Sequence, residues 1–233
     1  MKLSKRQKLI TDKVEVEKVY PLEEAVEVCK SMPVVKFNET VDISINLGVD
    51  PKKSDQNVRG SSSLPHGIGK TARVAVFADG QEATSADKAG ADIVGYEDLI
   101  EQVKKDKNLE VDIVIATPDC MKLLGQLGRI LGPKNLMPNP KEGTVTKNVK
   151  NAVENAKKGQ IRYKTDKAGI IHAPIGKMNF EAEKLVENAY ALIDDLLKAK
   201  PASAKGKYMK NITISSTMGP GIKVDLSTVE KRG

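Results

Sequence analysis

Residues 41–47 alternate strictly. Val41, Ile43, Ile45 and Leu47 are apolar, and Asp42, Ser44 and Asn46 between them are polar. Side chains along a strand point to opposite faces in turn, so a period of two predicts a strand with one buried and one wet face. Beyond residues 60–67 (GSSSLPHG) the pattern changes. Residues 73–78 (RVAVFA), 92–95 (DIVG) and 111–118 (VDIVIATP) are short apolar runs, of the kind found in strands covered on both faces. Helical stretches separate or follow them, over 80–90, 96–106, 119–130 and 148–159. Strand alternating with helix predicts an α/β domain with a mostly parallel sheet, three-layered and Rossmann-like, over residues 68–159.

After Gly159 the period of two returns. Residues 160–165 (QIRYKT), 169–176 (GIIHAPIG), 207–217 (KYMKNITISST) and 221–226 (GIKVDL) read as strands. Residues 180–200 read as one long helix with Phe180, Leu185, Ala189, Leu192 and Leu196 on its apolar face. The two ends of the chain share a style that the middle lacks. They predict a discontinuous α+β domain of residues 1–67 and 160–233, an antiparallel sheet with helices on one face. Residues 68–159 are then an insertion, and Gly67 and Gly159 at the crossings permit a hinge.

Charge is segregated. The chain carries a net +7, yet residues 68–121 hold six bases against eleven acids, residues 122–150 six bases against one acid, and residues 160–233 thirteen against eight. Basic faces of this kind suit a polyanionic partner. With 3% aromatic residues and no tryptophan, a sheet that stacks single-stranded bases is disfavoured, so a nucleic-acid partner is expected to be folded. Two histidines argue against a His-based metal site. Cys29 and Cys120 are expected to be reduced thiols. No apolar run is long enough to span a bilayer, and residues 1–13 lack the apolar region of a secretory signal.

The densest signal lies in residues 125–143 (GQLGRILGPKNLMPNPKEG), with four glycines, three prolines, two asparagines and the bases Arg129, Lys134 and Lys141. Such a composition predicts a long segment kept for more than packing, a frame that brings backbone N–H groups and bases to phosphate. Other motifs read as structure. The HGIGKT of residues 66–71 lacks the first glycine of a phosphate loop and precedes a strand, so it reads as a glycine hinge with a base or two facing phosphate. Cys120 has no histidine beside it and reads as a buried small residue, with Asp119 as a helix cap or first-turn acid. The pairs Glu23–Glu24 and Asp194–Asp195 fall on solvated helix faces. A nucleotide-dependent enzyme would need a glycine-rich loop after the first parallel strand, where this chain has ADGQEA. No cofactor and no catalytic set is expected. Two polar segments do not read as packing alone: residues 35–42 (VKFNETVD) and 215–221 (SSTMGPG), whose hydroxyls suit ribose and phosphate oxygens.

The segments RILGPKNLMPNP, DPKKSDQNVRG, LPHGIGKT, GIIHAPIGK and SSTMGPGIKVD together resemble the bacterial large-subunit ribosomal protein L-one family. The resemblance covers nearly the whole chain. It implies a two-domain protein of the mobile stalk beside the tRNA exit site, cytoplasmic and ribosome-bound. It further implies that the terminal domain binds large-subunit (23S) rRNA through Lys36, Phe37, Asn38, Glu39, Thr40, Lys164, Asp166, His172, Ser215, Thr217, Met218 and Gly219. Glu39 and Asp166 would serve there as acceptors from 2′-OH or base amino groups. His172 reads equally as a packed strand residue. The inserted domain would face exit-site tRNA through Arg129, Lys134 and Lys141 and assist release of deacylated tRNA. Family members also bind their own operon mRNA and repress its translation.

Overall fold

The computed structural model describes residues 8–10, 13–15, 18–32, 35–106 and 109–230. Residues 1–7 and 11–12 of the N-terminal segment lie outside this set. The chain forms two compact units, Met1–Gly69 with Ile161–Gly233, and Lys70–Gln160.

The first unit is built on a five-stranded sheet of β1 (Val19–Tyr20), β2 (Thr40–Leu47), β8 (Ile170–Lys177), β9 (Met209–Ser216) and β10 (Ile222–Val224), in the order β1-β10-β9-β2-β8. Every pairing is antiparallel except β1 with β10, so the sheet is mixed at one edge. β2 runs between β8 and β9, and its burial alternates from Thr40 to Leu47 as its period of two requires. The buried face carries Val41, Ile43, Ile45, Ile171, Ile212 and Ile214, covered by helices α1 (Leu22–Lys30) and α7 (Ala182–Lys198). On α7 the seam is Leu185, Val186, Ala189, Leu192, Ile193 and Leu196. Phe180 precedes the helix and packs partly buried against the same core. Each fully buried Leu or Ile contributes roughly 1.5–3 kcal/mol. Within that core Asn188 is fully buried. Its Oδ1 accepts the His66 N–H at 3.1 Å, and its Nδ2 donates to the carbonyls of Gly67 at 2.9 Å and Ile175 at 2.7 Å.

A two-stranded ribbon of β3 (Arg59–Ser63) with β7 (Gln160–Lys164) completes the strands of this region. β3 is not visible as an apolar pattern, because Gly60 and three serines compose most of it. Gly60 is required by contact: a Cβ there would sit 2.8 Å from the Tyr163 hydroxyl. Ser62 donates to Asp195 at 2.5 Å, so Asp195 is not a purely solvated acid, whereas Asp194 is exposed.

The second unit has the parallel sheet β5 (Ile93–Gly95), β4 (Val74–Phe77) and β6 (Ile113–Ala116), in that spatial order. β4 and β6 are buried at every residue, while the edge strand β5 is half-buried. One face packs Val74, Val76 and Ile115 against α2 (Gly80–Lys88) and α6 (Val149–Lys157). The other packs Ala75, Phe77 and Val114 against α3 (Glu97–Asp106) and the leucines that follow α3 in sequence. Leu124, Leu127 and Leu131 lie on three short pieces: α4 (Met121–Leu124), a 3-10 turn (Gly125–Leu127) and α5 (Gly128–Leu131). The single helix expected over 119–130 is broken where Gly125 and Gly128 weaken it. Asp119 is exposed and lies outside α4, whose N-cap position is Cys120.

Candidate nucleic-acid interface

With its helices on one side, the five-stranded sheet turns its other face outward. Thr40, Asp42, Ser44 and Asn46 lie on that face of β2. Across β9, Ser215 stands opposite Asp42, Thr213 opposite Ser44 and Asn211 opposite Asn46. Across β8, His172 stands opposite Ser44, and its Nδ1 lies 3.0 Å from the Ser44 hydroxyl. The face is polar because alternation sends every second residue of each strand away from the core.

One end of this face is a clasp between two strand ends. The Thr217 hydroxyl accepts the Thr40 N–H at 3.1 Å, and the Thr217 N–H donates to the Thr40 carbonyl at 3.1 Å. Lys177 donates to the Thr40 hydroxyl at 2.7 Å. Glu39 is only 3% exposed, and its carboxylate accepts the Met218 N–H at 2.8 Å. Its charge is therefore turned toward the protein, where it holds the 217–219 loop, rather than outward as an acceptor for RNA. Gly219 is tightly packed in the turn, where a Cβ would lie 2.5 Å from the Ser216 hydroxyl and displace it. Around the clasp Lys36, Phe37 and Asn38 are exposed, and Phe37 and Met218 each leave 54% of their surface open.

Asp166 and His172 form a second group, and Lys164 ends β7 just before them. Asp166 closes the turn between β7 and β8, its Oδ1 accepting the N–H groups of Ala168 and Ile170, each at 2.8 Å. Those bonds, Ile170 first, hold its carboxyl below the usual range, and His172 Nε2 stands 3.7 Å away. Its outward role as an acceptor is limited by these internal bonds. His172 is exposed, so it is a surface residue and not a packed one. Between the two groups lies Asp42. Burial pushes its carboxyl up, against the pull of Lys177 and His172. Thr40 and Ser44 are four residues apart, so the groups are separated by roughly 13 Å along β2. Asp42, Ser44, Lys177 and Thr213 also belong to this face; Asp42 and Lys177 lie within the quoted motifs but were not among the expected contact residues, and Ser44 and Thr213 lie outside the quoted motifs. The alternation in VDISINLG already placed Asp42 and Ser44 on the wet side.

In the second unit the segment 125–143 is packed more firmly than its composition implies. Leu127 and Leu131 are fully buried, and Leu136 nearly so. Asn139 caps a short turn by accepting the Lys141 N–H at 2.9 Å, and Glu142 is 5% exposed. Arg129, Lys134 and Lys141 are all exposed. The bases of residues 66–71 are engaged within their own units: Lys70 meets Asp112 at 2.6 Å, and His66 meets Glu187 at 2.5 Å.

Among the described residues, no three His, Cys, Asp or Glu side chains gather as a metal site. Burial pushes the Cys29 thiol up to about 11 and raises that of Cys120, which accepts the Thr117 hydroxyl proton at 2.9 Å. Both are poor nucleophiles. No helix of the described residues is long and apolar enough to cross a membrane.

The outward sheet face is thus polar, and lysines, hydroxyls and the exposed Phe37 and Met218 edge it. Residues 26–220 match the Ribosomal protein L1p/L10e family. The chain is 58% identical over 228 residues to the large ribosomal subunit protein uL1 of Marinomonas sp. (strain MWYL1), covering 98% of this chain and 97% of that one. It is 60% identical over 228 residues to the protein of the same name from Thioalkalivibrio sulfidiphilus, covering 98% of each. It is 59% identical over 228 residues to that of Dechloromonas aromatica, again covering 98% of each. The chain belongs to the Ribosomal protein L1p/L10e family. It is a structural ribosomal component and not an enzyme.

Proposed function

We propose that this chain, a cytoplasmic, ribosome-bound constituent of the large ribosomal subunit, holds large-subunit rRNA at the mobile stalk with the open sheet face of its terminal unit. The observation that carries the reading is the Thr40–Thr217 clasp, beside which Phe37 and Met218 stand exposed at one end of a polar face. In this reading Lys36 and Lys164 meet phosphate, while Asn38, Thr40, Ser215 and His172 offer donors and acceptors to ribose hydroxyls and base edges. Glu39, Thr217 and Gly219 build the loop that presents Met218. Asp166 sets the turn beneath His172. Arg129, Lys134 and Lys141 of the inserted unit face exit-site tRNA and assist release of deacylated tRNA. The terminal unit also binds a similar fold in its own operon mRNA, so that free protein represses its translation when rRNA is scarce.

The test is binding to a structured large-subunit rRNA fragment against a scrambled RNA of equal length, across a salt series. Specific binding gives a large ratio between the two that survives higher salt. Equal binding that collapses with salt would leave only a generic basic protein. Repression adds a second requirement: the rRNA fragment must displace the operon mRNA leader from the protein.

A further inference from the structure

The open face continues past Ser44. Cross-strand pairing sets His172, Ser44, Thr213 and Lys223 in one row over β8, β2, β9 and β10. The residues flanking these positions on their own strands, such as Ile43, Ile45, Ile212, Ile214, Ile222 and Val224, are buried. The row therefore lies wholly on the side away from the helices. Three strand spacings make it roughly 14 Å long. At its β10 end it opens into a groove of about 400 Å³, within the roughly 300–1,000 Å³ of small-ligand clefts.

Lys207, Lys223, Asn211 and Thr213 line this groove, beside Val224 and Leu226. None of the four polar side chains has a hydrogen bond or ion pair among the described residues. Asp225 is the acid among the lining residues, and it is engaged locally: its Oδ1 accepts the Ser227 N–H at 2.9 Å and its Oδ2 the Ser227 hydroxyl proton at 2.7 Å. Two lysines, an asparagine and a threonine thus line one groove beside apolar residues. That set matches a sugar–phosphate segment: the lysines suit phosphate oxygens, Asn211 and Thr213 suit a 2′-OH, and the apolar surface suits the sugar ring.

We infer that this groove is a second RNA-binding site, which takes a sugar–phosphate segment of the same folded RNA held at the Thr40–Thr217 end. The inference rests on the proposed rRNA binding; the row joins the groove to the His172 group, and the clasp lies roughly 13 Å further along β2. The full chain is compared with Lys207→Ala/Lys223→Ala, with Thr217→Val, and with a charge-matched control in the other unit, Lys88→Ala/Lys105→Ala. Dissociation constants for the structured rRNA fragment are measured over a salt series, and acetylation of each lysine is mapped with and without RNA. The groove variant should lower the slope of log affinity against log salt by about 1.4–1.8, at 0.7–0.9 for each phosphate no longer neutralised. RNA should shield Lys207 and Lys223 from acetylation, and the control should keep the parental slope. If the slope is unchanged and both lysines stay reactive while Thr217→Val still weakens binding, the groove does not bind RNA and the rRNA reading stands. If the parent chain does not distinguish the fragment from scrambled RNA, the rRNA reading fails and the groove inference falls with it.

Discussion

The two units solve the same problem, burying a sheet, in opposite ways. The terminal unit covers one face of its sheet and leaves the other to solvent, so its strands alternate and its core is a single cluster. The inserted unit covers both faces of β4 and β6, so its strands are apolar throughout and its core is two clusters, one per face. A sheet covered once has a broad, rigid surface to offer a partner. A sheet covered twice has only its edges, helices and loops, and its exposed bases Arg129, Lys134 and Lys141 sit in such a segment. The proposed division of labour follows from this difference in layering.

The sharpest way to break the comparison is to damage the doubly covered sheet. Phe77→Ala should cost the inserted unit roughly 3–5 kcal/mol, the usual loss for a buried Phe, while specific rRNA binding persists. Thermal unfolding with parallel RNA binding checks this, and loss of both together would show that the units do not act separately. In the terminal unit the corresponding weak point is polar. Asn188→Leu strands the groups it satisfies at His66, Gly67 and Ile175, and a buried unsatisfied group costs roughly 1–3 kcal/mol. Hydrogen exchange should show the loss in the terminal unit first. Exchange that rises equally in both units would contradict it.

Thr217→Val removes the hydroxyl that accepts the Thr40 N–H but leaves the paired backbone bond. The fold should survive by circular dichroism while specific rRNA affinity falls by roughly 1–3 kcal/mol. Unchanged affinity would remove the clasp from the interface. Lys134→Ala should leave rRNA affinity unchanged and slow only exit-site tRNA release in a reconstituted translation assay. A matching loss of rRNA affinity would erase the distinction between units.

The smallest effects have opposite signs in the two units. Asp92, held low first by the Val74 N–H, and Asp112, held low first by Lys70, have folded values below their unfolded ones. Their contribution to the inserted unit is present above the ordinary carboxylate value near 4 and is lost as pH falls through the lowered values. Asp42 is raised by burial, so its ionisation weakens the terminal unit as pH climbs from the ordinary value through the raised one. Asp42→Asn should therefore make the terminal unit slightly more stable at neutral pH, and Asp92→Asn should make the inserted unit slightly less so. Melting curves against pH that moved both variants in the same direction would refute the assignment.

Much of this architecture was legible along the chain. The alternation from Val41 to Leu47 and the apolar runs through Val74–Phe77 and Ile113–Ala116 are local patterns, and burial follows them residue by residue. β3 was not legible, because a strand of Gly60 and serines is made by its partner β7 and by the Tyr163 hydroxyl over Gly60, not by its own hydrophobicity. The helix expected over 119–130 is a local reading defeated by two glycines. The packing of Leu127, Leu131 and Leu136 was masked by the glycines and prolines around them.

The sequence by itself determined which residues face water and which face a core, since that depends on periods of two or of about 3.6 within a few neighbours. Only the tertiary structure decided which wet residues stand together. His172, Ser44, Thr213 and Lys223 come from four strands spread over most of the chain, and their row exists because strand register, set by long-range hydrogen bonding, aligns them. The same holds for Glu39, whose carboxylate is turned to Met218 because two strand ends meet there.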